Sequence, residues 1–188
     1  GKPVNSAGLR AMMENLIAQG AENIDLVTPT HYLPTIIPAL QPKLAVPVVY
    51  NCGGYERVET LGQLDGLVDI YLPDLKYADA ALAGTLSGAA DYFPVAAAAI
   101  REMVRQTGAV QWSGEKVVRG TIIRHLILPG CVENSLRILD WIGETFEPGQ
   151  VLVSLMRQYT PMGGLPAPFD RPITDEEDEA VLSWMYLN

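Results

Sequence analysis

Short apolar runs alternate along this chain with segments that repeat their apolar residues every three to four positions, the signature of strands that each precede a helix. Asn5 or Ser6 can cap a first helix, whose apolar face is Leu9, Met12, Met13, Leu16 and Ile17 and which stops at Gly20. A strand over 23–27 follows, then a helix holding Ile36, Ile37 and Leu40. Pro34 suits its first turn, while Pro38 disfavours a long continuous helix. Further strands are predicted over 46–50 and 68–72, separated by a short helix over 56–64. An Ala- and Gly-rich stretch then leads to a helix over 94–106 that ends at Gly108. A small hairpin is expected over 111–119 around Ser113-Gly114, then a strand over 121–128. The helix after Gly130 presents Leu136, Leu139, Trp141 and Ile142, and a last strand spans 151–156. Thr174 and Glu177 have the spacing of a capping box for a final helix with an acidic first turn.

The strands are mostly Ile, Leu and Val, as expected where both faces of a parallel sheet are covered. Right-handed crossovers then give either an open doubly wound sheet or a partial barrel. A polar, Pro- or Gly-marked segment recurs after every strand, which favours an α/β partial (β/α) barrel resembling a TIM barrel. The chain opens on a helix rather than a strand, so the first βα unit is expected to be missing. The strand over 23–27 should then be a sheet edge. No repeat or long linker divides residues 1–188, and a single domain is expected.

Charge and composition narrow the function classes. The 188 residues are 48% hydrophobic with a mean hydropathy of +0.13, which is globular rather than disordered. A net charge of −9 repels phosphate backbones and argues against nucleic acid as a partner. No apolar run is long enough to span a membrane and no signal peptide is visible; with only Cys52 and Cys131 present, a reducing cytoplasmic location is expected. Two histidines and two scattered cysteines have no zinc spacing, so no metal ligand is assigned.

Candidate chemistry gathers at the strand ends, where parallel α/β proteins place their sites. Asp74 and Lys76 share one face by alternation and can receive an ammonium and a carboxylate, although the motif alone favours a solvated ion pair at a strand end. Arg124 interrupts an apolar strand and must be paired or face a ligand, because an unpaired buried charge is expensive. His125 points to the opposite face and reads as structural. Thr28, Thr30 and His31 offer polar groups after the first strand, although Thr-Pro is also an ordinary turn. Tyr50-Asn51 leads into Cys52-Gly53-Gly54, a turn where backbone can approach a ligand closely. Cys52 has no evident partner base. Gln158 and Tyr159 are polar enough to line a pocket mouth.

Taken together, VTPTHY (Val27 to Tyr32), VVYNCGGYE (Val48 to Glu56), DIYLPDLKY (Asp69 to Tyr77), IIRHLILPG (Ile122 to Gly130) and the QYTP segment (Gln158 to Pro161) resemble the radical S-adenosylmethionine proteins related to pyruvate formate-lyase activating enzyme. The resemblance covers essentially the whole chain. It implies a partial barrel with the cofactor across the carboxyl ends of the strands, corresponding to the carboxy-terminal part of a radical S-adenosylmethionine core. In that family a C-x3-C-x2-C loop holds a [4Fe-4S] cluster whose electron cleaves S-adenosylmethionine to a 5′-deoxyadenosyl radical. No such triplet occurs here, so the cluster ligands are absent from this chain and the expected catalytic set is empty.

The same resemblance assigns cofactor contacts to Thr28, Thr30, Asn51, Asp74, Lys76, Arg124, Gln158 and Tyr159, with Thr-Pro-Thr-His standing where relatives carry Gly-Gly-Glu. It implies S-adenosylmethionine as ligand and either a glycyl-radical protein or a small molecule as substrate. A non-catalytic small-molecule binding module using the same strand-end pocket is the alternative.

Overall fold

A computed structural model describes residues 2–187. It shows an α/β fold built on a mostly parallel sheet. Strands β1 (Ile24–Val27), β2 (Val48–Cys52), β3 (Ile70–Pro73), β4 (Gln111–Ser113), β5 (Lys116–Leu126) and β6 (Leu152–Met156) alternate with helices. The helices are α1 (Ser6–Ala18), α2 (Leu33–Ala39), α3 (Val58–Gly62), α4 (Ala80–Ser87), α5 (Tyr92–Thr107), α6 (Val132–Thr145) and α7 (Asp175–Leu187). β1, β2, β3, β5 and β6 run parallel in that spatial order, and β4 pairs antiparallel with the start of β5. Among the described residues β1 has a strand on one side only, the edge position expected of it.

Local chemistry explains most boundaries. Asn5 accepts a hydrogen bond from the Gly8 amide and caps α1. A 3-10 turn over Thr30–Tyr32 precedes α2, whose Pro34 occupies the first turn and whose short length agrees with Pro38 inside it. The capping box of α7 forms in both directions: the Glu177 amide donates to Thr174 Oγ1, and the Thr174 amide to Glu177 Oε2. Glu177 also accepts from the Gly130 amide and pairs with Arg171, whose guanidinium lowers the Glu177 pKa to about 2. One side chain thereby ties α7 to the loop after β5.

Three expectations are corrected. The Ala- and Gly-rich stretch is helical, as α4, because Asp79 caps it and its alanines favour helix. The hairpin arm and the fourth parallel strand are one continuous strand, β5. It pairs antiparallel with β4 up to Arg119 and parallel with β3 from Gly120, whose φ of 141° and closeness to Val110 leave little space for a side chain. The sheet is not covered equally on both faces. Helices bury the outer face, including Tyr50, Tyr71, Thr121, Ile123 and His125, whereas Leu72, Ile122, Arg124, Leu126 and Met156 on the inner face are half-buried. Among the described residues the strand path does not close on itself.

The apolar face of α1 is likewise narrower than its spacing implies. Met13 is buried, but Met12 and Leu16 are exposed.

Candidate functional site

Strands β2, β3 and β5 bring Asn51, Asp74 and Arg124 side by side. Asp74 continues β3 by a single parallel bridge to Arg124, and its amide donates to the Cys52 carbonyl at 2.9 Å. Arg124 Nη2 donates to Asn51 Oδ1 at 2.7 Å and lies 2.7 Å from Asp74 Oδ1 as an ion pair. The latter contact is off the hydrogen-bond axis: Asp74 Oδ1 and Arg124 Nε are both buried without a hydrogen-bond partner. Lys76 Nζ stands 3.7 Å from Asp74 Oδ2 and is substantially exposed. Two cations and one carboxylate thus face a cleft of about 320 Å³, whose other walls are Tyr77, Leu126, Leu128 and Met156. Such a cleft, apolar in body and charged at one end, is suited to a small molecule that carries a zwitterionic or anionic head.

The backbone under these charges is held firmly. The Leu75 amide donates to the Arg124 carbonyl at 2.8 Å, and the Leu75 carbonyl lies 2.7 Å from His125 Nδ1. A carbonyl only accepts, so His125 carries its proton on Nδ1 and accepts at Nε2 from the Ser135 hydroxyl, 2.8 Å away. Burial lowers the His125 pKa, against the opposing effect of the Leu75 bond, and the ring is neutral. Asn134 bridges Lys76 and Ala78, donating to the Lys76 carbonyl and accepting from the Ala78 amide.

Tyr92, at the start of α5, completes the frame. Its hydroxyl accepts from the Lys76 amide and lies within donating distance of the Gly53 and Asp74 carbonyls, at 2.9 and 2.8 Å. Burial raises its pKa well above the phenolic range, which preserves the donor.

The Cys52-Gly53-Gly54 turn makes its close approach to protein, not to open space. A Cβ on Gly54 would lie 2.1 Å from the Asp74 carbonyl oxygen, and its φ is +80°. Cys52 is buried and its thiol is pushed up to about 12 by that burial, so it is not a reactive thiolate.

Of the sequence-predicted site residues, Asp74, Lys76 and Arg124 line the cleft and Asn51 joins them through Arg124. Thr28 lies beside them: its amide donates to the Asn51 carbonyl at 2.8 Å. Its φ of +51° is the one positive value among the described non-glycine residues, a strained setting for a β-branched side chain. The Thr30 hydroxyl faces inward, donating to Glu56 Oε1 at 2.7 Å and bonding the Tyr50 hydroxyl at 2.8 Å. Burial raises the Glu56 pKa, and the Thr30 bond opposes that rise. Tyr159 donates to the Phe169 carbonyl at 2.9 Å and lines a neighbouring apolar recess, and Gln158 is exposed. Sequence reading missed Tyr92, Asn134 and Glu56. All three act from helix starts or loops remote in sequence from their partners, and no local pattern marks them.

No family model matches the chain. An uncharacterized protein of Methanocaldococcus jannaschii is 30% identical over 148 residues, which are 75% of this chain and 38% of that protein. This chain therefore spans well under half the length of that relative. Among solved structures, a domain of pyruvate-formate lyase-activating enzyme from Bacteroides vulgatus has a TM-score of 0.60, covering 87% of this chain and 91% of that domain at 12% identity. At that identity the likeness establishes the fold, the partial-barrel arrangement expected from the sequence. Among the described residues no helix is long and apolar enough to cross a membrane.

Proposed function

We propose that this chain is one domain of a radical S-adenosylmethionine core and that its strand-end cleft holds the amino-acid end of S-adenosylmethionine. The observation that carries the reading is a pair of buried atoms that lack a hydrogen-bond partner, Asp74 Oδ1 and Arg124 Nε, in a cleft at the carboxyl ends of parallel strands. Asp74 suits the ligand's ammonium, and Arg124 with Lys76 suits its carboxylate. Asn51 orients Arg124, and Tyr92 fixes the Asp74 backbone. The fold likeness to an activating-enzyme domain and the five matching segments support the same assignment.

When bound, S-adenosylmethionine would supply a sulfonium open to cleavage by an external one-electron donor, with methionine as the leaving group, and Asp74, Arg124 and Lys76 would hold its amino-acid end. A [4Fe-4S] cluster does not fit the residues of this chain. Cys52 is buried with a raised pKa, the Cys131 thiol is raised as well, and the described residues hold no metal-ligating group of three. No step of the radical reaction is therefore assigned to these residues. In a whole enzyme of this kind the substrate is a glycyl-radical protein or a small molecule, and the setting is cytoplasmic. A second reading is a non-catalytic module that binds a small molecule in the same strand-end cleft without radical chemistry.

Calorimetric titration with S-adenosylhomocysteine tests the cleft. Binding by the wild-type chain and a loss of roughly tenfold or more in both Arg124→Gln and Lys76→Ala are expected, since charge-assisted hydrogen bonds contribute about 1.5–3 kcal/mol. Affinity unchanged in both variants would remove the cleft from consideration. Anaerobic reconstitution with iron and sulfide should yield no 5′-deoxyadenosine from this chain alone; turnover with a stable cluster signal would show that the thiols present suffice.

A further inference from the structure

The charged cleft shares part of its apolar wall with a neighbouring recess. Tyr77 and Leu128 line both it and a second recess of about 190 Å³, which is walled further out by Met162, Leu165 and Phe169. Every one of these side chains is apolar or aromatic. Met162 and Leu165 are 69% and 38% exposed although they face this recess, so their apolar surface is left to water. Their loop is fastened at its base, where the Tyr159 hydroxyl donates to the Phe169 carbonyl and Pro168 packs over Gly130. Between Tyr159 and Phe169 it carries Gly163-Gly164, with Gly164 at φ +91°.

We propose that the two recesses form one amphipathic trough for a small molecule with a carboxylate head and an apolar tail. The head pairs with Arg124 and Lys76, and the tail lies past Tyr77 and Leu128 against Met162 and Leu165. Charge favours this occupant, because Arg124 and Lys76 outnumber the single carboxylate of Asp74 in the cleft. Continuity favours it too, since the charged end opens directly onto apolar walls. The proposal rests on the reading of Arg124 as a ligand-facing cation, but not on the identity of the cofactor, whose carboxylate would compete with this head for Arg124 and Lys76.

The probes are the linear carboxylates butanoate, hexanoate, octanoate and decanoate, titrated by calorimetry into the chain. Affinity should rise by about twofold to fourfold per added methylene, the upper figure being full burial of each group. Arg124→Gln should weaken every member of the series. Met162→Asp, at an exposed position that folding does not depend on, should cost octanoate and decanoate at least tenfold and butanoate less than twofold. A flat series, or a Met162→Asp variant that keeps the wild-type slope, would overturn the proposal. Its failure is separable from that of the cofactor reading. S-adenosylhomocysteine binding without a chain-length effect removes the apolar annex alone. Length-dependent carboxylate binding without S-adenosylhomocysteine binding removes the cofactor alone.

Discussion

The two flanks of the sheet are built from similar residues but are fastened very differently. On the β3–β5–β6 side, the backbone from Asp74 to Ala78 is gripped by Cys52 of β2, Arg124 and His125 of β5, Tyr92 of α5 and Asn134 of α6. On the β1 side, Val4, Met12, Leu16, Val27 and Tyr32 are all exposed, and β1 has a partner on one side only. The difference teaches where a site can be precise. Charged side chains hold a geometry when the chain beneath them is tied down by buried polar groups that would cost energy to leave unpaired. Thr28 and Thr30 occupy an equivalent strand end on the weaker flank. There Thr30 uses its hydroxyl on Tyr50 and Glu56, and Asp74 and Arg124 have no counterpart.

A matched pair of glycine substitutions should break the comparison most sharply. Gly54→Ala drives a methyl group into the Asp74 carbonyl, which is backbone and cannot rotate away. Gly20 also has positive φ, at +96°, yet nothing lies within 4 Å of its missing Cβ. Urea unfolding should show a loss of about 3 kcal/mol or more for Gly54→Ala, in the range of severe steric changes. Gly20→Ala should lose only about 1–2 kcal/mol, the conformational cost of a left-handed residue. Equal losses would mean that the β2–β3 junction is no tighter than the β1 flank.

Acid should loosen the firm flank through His125. Its folded pKa lies below the unfolded value of about 6.5, because the buried ring resists charging. Below about pH 6.5 the unfolded chain therefore takes up a proton that the folded chain refuses. The stabilising contribution is complete above that pH and is lost progressively as pH falls toward the folded pKa. Stability curves at pH 8, 6.5 and 5.5 should fall across this window in the wild-type chain. His125→Gln, less stable at pH 8, should fall less. Parallel curves would show that another group controls acid loosening.

Much of this architecture was legible before any coordinates. Element order follows from periodicity, and Asp74, Lys76 and Arg124 stand out because charges at the ends of, or within, apolar strands need a reason. Alternation alone separates Arg124 from His125. What could not be read is whatever depends on long-range contact. The grip of Tyr92 on Gly53 and Asp74 spans 39 and 18 residues, and that of Asn134 on Lys76 spans 58. The turn at Gly53-Gly54 illustrates the ambiguity: glycine permits close approach, but only packing decides that Asp74 makes it. Half-burial of the inner face was equally hidden, because an apolar strand has the same composition whether or not a wall faces it.

The smallest effect on stability is expected at Val27, where the comparison can be sharpened from the weaker side. Val27 ends the edge strand β1 with 67% of its surface exposed, so its replacement removes little buried area. Val27→Lys should change unfolding free energy by less than about 0.5 kcal/mol, as surface substitutions do. Its effect on association should be larger. A bare strand edge with apolar neighbours invites pairing with another chain, and a lysine on such an edge opposes that pairing by charge and hydration. Light scattering over a concentration series should therefore show less self-association in Val27→Lys than in the wild-type chain, at nearly unchanged stability. A stability loss above 1 kcal/mol would place Val27 in a packed environment and erase the contrast between the flanks. Unaltered association would show that the free edge of β1 is not where copies of this chain meet.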